Sequence, residues 1–122
     1  NDWGHGLVEI GSWNDGTNTT LYGGTQTLIE GLINKYPTKK IGFILPIPRN
    51  DINGDNALGD YVAVIKEVCD RYSIPTLDLY HESGIMPGLD AHKTALIPDG
   101  THPNAEGHRI IANKIQRFLE RL

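Results

Sequence analysis

The chain has 122 residues, 39% apolar and 21% charged, with a formal net charge of -4 and a single cysteine. That suits one small globular domain and is too little for two. Mixed-sign, slightly acidic composition argues against a nucleic acid partner, one cysteine admits no internal disulfide, and no apolar run suffices for a membrane span or a signal peptide.

In chain order, residues 1–20 are rich in Gly, Asn, Asp and Thr and read as a long loop. The chain opens on Asn1-Asp2-Trp3 with no initiator methionine, as expected of a processed, clipped or partial chain. Thr19 or Thr20 is placed to cap a helix near 21–36, with Leu21, Leu28, Ile29, Leu32, Ile33 and Tyr36 on one face and Pro37 ending it. Gly23, Gly24 and Gly31 weaken that helix by roughly 1 kcal/mol each relative to alanine, which points to close packing against a neighbour.

The continuously apolar run Ile41-Gly42-Phe43-Ile44-Leu45 predicts a strand near 41–45 buried on both faces. A loop follows over 46–56. Leu58, Tyr61, Val62, Ile65, Val68, Cys69 and Tyr72 then recur at intervals of three and four, predicting a helix near 57–72 with both tyrosines in the core. A second strand is expected near 75–79, a third loop over 80–103, and a last helix near 104–120 with Ile110, Ile111, Ile115, Phe118, Leu119 and Leu122 on its buried side. Strands alternating with helices predict right-handed crossovers and a parallel sheet. The loops at 46–56 and 80–103 leave the carboxyl ends of strands, the rim where open α/β sheets bind ligands.

That rim carries Asp99-Gly100-Thr101-His102-Pro103. A histidine is a usable base near neutral pH, and a carboxylate accepting its Nδ1 hydrogen fixes its tautomer. Gly100 gives the turn freedom to fold Asp99 back onto His102, and Pro103 stiffens its exit. The same residues also make an ordinary turn at a helix start. A metal reading has His102 and His108 nearby and His81 and His92 in the same loop, but the spacings match no familiar zinc pattern and Cys69 lies on an apolar face. Arg49, Asn50 and Asp51 suit either a specificity role or an Asx-stabilised turn, and His108 reads as solvated or capping.

The stretch D-G-T-H-P-N-A-E-G-H before an amphipathic C-terminal helix resembles the last motif of the SGNH hydrolases, also called GDSL-type esterases and lipases. Asn1-Asp2, followed by Trp3-Gly4, resembles the Asn-Asp of that family's G-x-N-D motif, and L-I-E-G-L-I-N-K-Y-P with I-G-F-I-L-P-I-P-R-N-D looks like its bacterial and phage-associated members. The resemblance implies that residues 1–122 are the carboxyl-terminal part of a single three-layer α/β/α sandwich with a flavodoxin-like parallel sheet, without the amino-terminal strands. It implies Asp99 and His102 as two members of a Ser-His-Asp triad and the Asn1 amide as an oxyanion donor. Trp3 and Trp13, in the loop after Asn1, become candidate substrate-loop residues, either stacking on a sugar or packed beneath the loop.

The family's G-D-S serine has no counterpart here: Ser12 follows the asparagine, and Ser73 and Ser83 lack the strand context. The expectation is therefore an ester hydrolase acting without a cofactor on a small-molecule or carbohydrate ester, completed by a missing amino-terminal segment. The polar, tryptophan-bearing loop leans towards an O-acetylated carbohydrate. The rival expectation is a noncatalytic glycan-binding or scaffold module descended from such an enzyme. The compartment stays open between cytoplasmic and secreted or surface-associated.

Overall fold

The computed structural model describes residues 8–49 and 57–122. Its elements run α1 (Leu21–Lys35), β1 (Phe43–Leu45), α2 (Ala57–Arg71), β2 (Thr76–Asp78), α3 (Leu79–Glu82), α4 (Asp90–Leu96) and α5 (Ala105–Arg121). β1 and β2 pair in a small parallel sheet, with the Phe43 N–H donating to the Pro75 carbonyl at 2.9 Å. Parallel neighbours need a crossover, and α2 supplies it. The mixed helix and strand architecture agrees with the α/β expectation. Among the described residues no helix is long and apolar enough to cross a membrane.

The described residues form two compact units, one of 8–43 with 57–76 and one of 44–49 with 77–122. In the first, the loop before α1 is organised by Asp15. Its carboxylate accepts the Thr20 hydroxyl at 2.5 Å and the backbone N–H groups of Thr17 and Ser12. The Thr20 bond is the largest of several effects that hold Asp15 below the usual carboxylate range. Thr20 also caps α1 through the Gly23 N–H, while the Glu9 and Ile10 carbonyls take the Leu21 and Tyr22 N–H groups. Gly23 is obligatory here: a β-carbon would stand 1.6 Å from the Thr17 carbonyl oxygen.

The same loop turns α1 away from the expected register. Gln26 is buried because Asn14 exchanges two hydrogen bonds with it, at 3.0 and 2.8 Å, and Leu28, some 200° around the helix, is exposed together with Tyr36. α1 packs on α2 through Ile29, Val68 and Cys69, joined by Ile74 just after α2, in one cluster and Leu21, Tyr61 and Val64 in another. Hydroxyls of Tyr22 and Tyr72 tie the two helices by donating to Glu67 and Glu30, and the Tyr61 hydroxyl donates to the Val8 carbonyl. Cys69 is a core residue, its thiol pushed up to about 11, chiefly by burial.

In the second unit, Leu77, Leu79 and Phe118 form one cluster and Ile85, Leu96 and Ile97 another, with Ile47 and Ile111 touching both. Three expectations are corrected here. Ile44 is 42% exposed, so β1 is not buried on both faces: side chains alternate, and only the Leu45 side is covered. Leu119 is exposed because Phe118 holds the buried position 100° away on a narrow apolar stripe. The span 80–103 is not one loop. It holds most of α3 and all of α4, both too short for apolar periodicity to reveal.

Candidate active site

α4 ends at Leu96 and α5 starts at Ala105, and the turn between them is held from both sides. The Leu96 carbonyl accepts the Asn104 N–H at 2.9 Å, the Ala95 carbonyl accepts Asn104 Nδ2 at 2.9 Å, and the Ile97 carbonyl accepts the Gly100 N–H at 2.8 Å. Gly100 sits at φ +80°, a conformation that costs other residues strain. Within this frame Asp99 folds back onto His102. Its Oδ1 accepts the backbone N–H groups of His102 at 2.7 Å and Thr101 at 2.8 Å, and its Oδ2 lies 2.6 Å from His102 Nδ1.

A carboxylate only accepts, so Nδ1 carries the hydrogen and Nε2 is the basic nitrogen of the neutral ring. These bonds hold Asp99 far below the usual carboxylate range, the His102 backbone N–H contributing most, then its ring, then the Thr101 N–H. The pair is open to solvent, with the His102 side chain 81% and that of Asp99 56% exposed. Helix-start chemistry does not account for Asp99. α5 is capped by Asn104, whose Oδ1 accepts the Gly107 N–H at 3.0 Å.

A second pair, absent from the sequence reading, repeats the pattern. Asp78 Oδ1 accepts the His81 N–H at 3.0 Å, and Oδ2 lies 2.8 Å from His81 Nδ1. Here the carboxylate is the N-cap of α3 and its side chain is only 12% exposed. Burial pushes Asp78 up, but the His81 ring and backbone bonds outweigh it and leave it lowered. The spacing in D-L-Y-H equals that in D-G-T-H and was the signal available for finding it. Among the described residues, Asp-x-x-His geometry thus occurs once as a helix cap and once as a turn with no capping duty.

The other site candidates stand as follows. Asn1 and Trp3 lie outside the described residues, as do Asn50 and Asp51. Trp13, in the first unit, is half-buried, with the Arg71 guanidinium 4.4 Å from its ring centroid and the Tyr72 ring at 5.9 Å. His108 is exposed on α5. His92 accepts the Met86 N–H on Nδ1 at 3.0 Å, a loop-fastening role that no sequence pattern announced.

A family model described as the GDSL-like Lipase/Acylhydrolase family matches residues 1–110. No curated protein matches the chain. One crystal structure is similar over 100% of this chain and 61% of its own, at 29% identity and a TM-score of 0.87. A crystal structure of a protein from Lactobacillus plantarum is similar over 98% of this chain and 62% of its own, at 32% identity and a TM-score of 0.87. The chain spans about three fifths of the length of these solved structures.

Proposed function

We propose, from the premise that the chain belongs to the GDSL-like lipase/acylhydrolase family, that the intact protein hydrolyses carboxylic esters by acyl transfer to a serine. Residues 1–122 are read as the carboxyl-terminal part of one three-layer α/β/α domain, with the serine on a segment outside them. The observation that carries the reading is the Asp99–His102 pair, fixed at 2.6 Å in a turn that caps nothing.

In this mechanism the serine hydroxyl attacks the ester carbonyl and passes its proton to His102 Nε2. The tetrahedral intermediate collapses, and the leaving alcohol takes that proton from the imidazolium. Water then repeats the cycle on the acyl-enzyme and releases the acid. Asp99 keeps Nε2 facing the reacting atoms and stabilises the imidazolium. The Asn1 amide is assigned to the oxyanion, where one donor is worth about 2.7–4 kcal/mol of transition-state stabilisation. Trp3 is assigned to the loop bordering a small-molecule or carbohydrate ester, while Trp13, packed against Arg71 and Tyr72, takes the alternative of a residue packed beneath that loop.

In the full-length protein, His102→Ala should lower turnover of an aryl acetate by about a thousandfold or more. Unchanged turnover removes His102 from the mechanism. The 122-residue chain alone should take up no fluorophosphonate label, since the nucleophilic serine is assigned to another segment and proximity supplies much of the rate. A stoichiometric adduct on Ser12, Ser73 or Ser83 would refute the assignment of the serine to another segment.

A further inference from the structure

The segment between α3 and α4 presents apolar side chains to water from a fixed frame. Met86 is 53% and Leu89 57% exposed, although burying such side chains is favourable. The backbone beneath them is fastened: Ser83 Oγ accepts the Ile85 N–H at 3.2 Å, His92 Nδ1 accepts the Met86 N–H at 3.0 Å, and the Met86 carbonyl accepts the Leu89 N–H at 3.1 Å. Gly84 makes the turn into it at φ +75°. Ile85, the neighbour of Met86, is buried against Leu96 and Ile97, and the Ile97 carbonyl accepts the Gly100 N–H of the Asp99–His102 turn. The two exposed side chains and the pair therefore hang from one apolar cluster.

We infer that Met86 and Leu89 form an apolar shelf bordering the His102 side of the site and receive the hydrocarbon part of the leaving alcohol. The inference rests on the ester-hydrolase reading above. The choice of the alcohol follows from proton transfer: the alcohol oxygen takes its proton from His102 Nε2, so that half of the ester lies against His102's own loop. Two side chains three residues apart fall far below the roughly 800 Å² per partner of a stable protein interface, and they match a short alkyl or aryl group.

The test compares wild-type full-length protein with Met86→Ser, Leu89→Ser and the double variant. Both side chains are exposed within residues 1–122, and a circular dichroism spectrum and thermal midpoint matching wild type are required of each variant before its kinetics are compared. With the acyl group held as acetate and the alcohol lengthened from ethyl to hexyl, the double variant should lose about tenfold or more in kcat/KM for the hexyl ester relative to the ethyl ester. The acetate-to-hexanoate ratio on a common aryl alcohol should not change. A ratio that shifts only in the acyl series, or in neither, overturns the inference. A second arm needs no turnover: 1-hexanol should shift the 13C-methyl signal of Met86, assigned by its loss in Met86→Leu. Wild-type protein inactive on every ester sinks the hydrolase reading, and the hexanol arm then decides the shelf. An unmoved Met86 signal overturns it.

Discussion

Gly107 lies directly beneath the Leu96 carbonyl oxygen, so close that a β-carbon on it would stand 2.5 Å from that atom and 2.9 Å from Pro103 Cβ. The contact brings the start of α5 against the end of α4 and sets the span that the Asp99–His102 turn must bridge. The oxygen is backbone and already accepts the Asn104 N–H, so it cannot yield cheaply. Gly107→Ala gains at most about 1 kcal/mol in helix propensity and meets an overpacking cost of about 1–3 kcal/mol. The expected net result is a lower urea midpoint with an unchanged m-value. A higher midpoint would mean that α5 can slide off α4.

The Asp-x-x-His pairs should separate on mutation. In full-length protein, Asp99→Asn leaves His102 in the wrong tautomer and should cost turnover on the order of a thousandfold, far more than the accompanying fall in thermal midpoint accounts for. Asp78→Ala removes the cap of α3 and should cost about 0.5–2 kcal/mol of stability, His81→Ala keeps the capping backbone N–H and should cost less, and both should leave turnover within a few-fold. If His81→Ala abolished turnover and His102→Ala did not, the assignment of the catalytic pair would be reversed.

Much of this arrangement was legible in the sequence, and what was not has physical causes. α1, α2 and α5 announced themselves through three-and-four spacing and through caps, Thr20 and Asn104 standing where a capping residue is expected. The D-G-T-H turn was readable because its partners lie within one hydrogen-bonded turn. α3 and α4 have four and seven residues and bury little, so no periodicity marks them. Asp78 was hidden by its place at the end of an apolar strand pattern, although its spacing to His81 matches D-G-T-H. The inward turn of Gln26 could not be foreseen, since it depends on Asn14 meeting it from a loop twelve residues earlier.

The pH dependence of the Asp99 contribution has a definite sign. The folded value is lowered, and the unfolded carboxyl titrates near about 3.9. The stabilising contribution is therefore complete above the unfolded value and is lost as pH falls below about 4 towards the folded value. The Asp99 contribution to the difference in thermal midpoint between wild type and Asp99→Asn should be fully present at pH 5 and shrink under more acid conditions. Asp99 remains a carboxylate from pH 8 to 5, so any fall in turnover in that range belongs to another group. A midpoint difference that did not shrink below about pH 4 would contradict the lowered value.

Thr101 tests how finished the turn is. Its backbone N–H bonds Asp99, yet its Oγ1 is buried and, among the described residues, has no hydrogen-bond partner. A buried hydroxyl left unpaired costs about 1–3 kcal/mol, whereas a methyl of the same shape carries no such penalty. Thr101→Val keeps the branched shape and the backbone bond while deleting the oxygen, so it should raise the urea midpoint. Thr101→Ser keeps the oxygen and should not. A destabilised Thr101→Val, rescued by Thr101→Ser, would mean that the hydroxyl holds a partner in solution. The neighbouring His102 would then owe part of its placement to that bond as well as to Asp99.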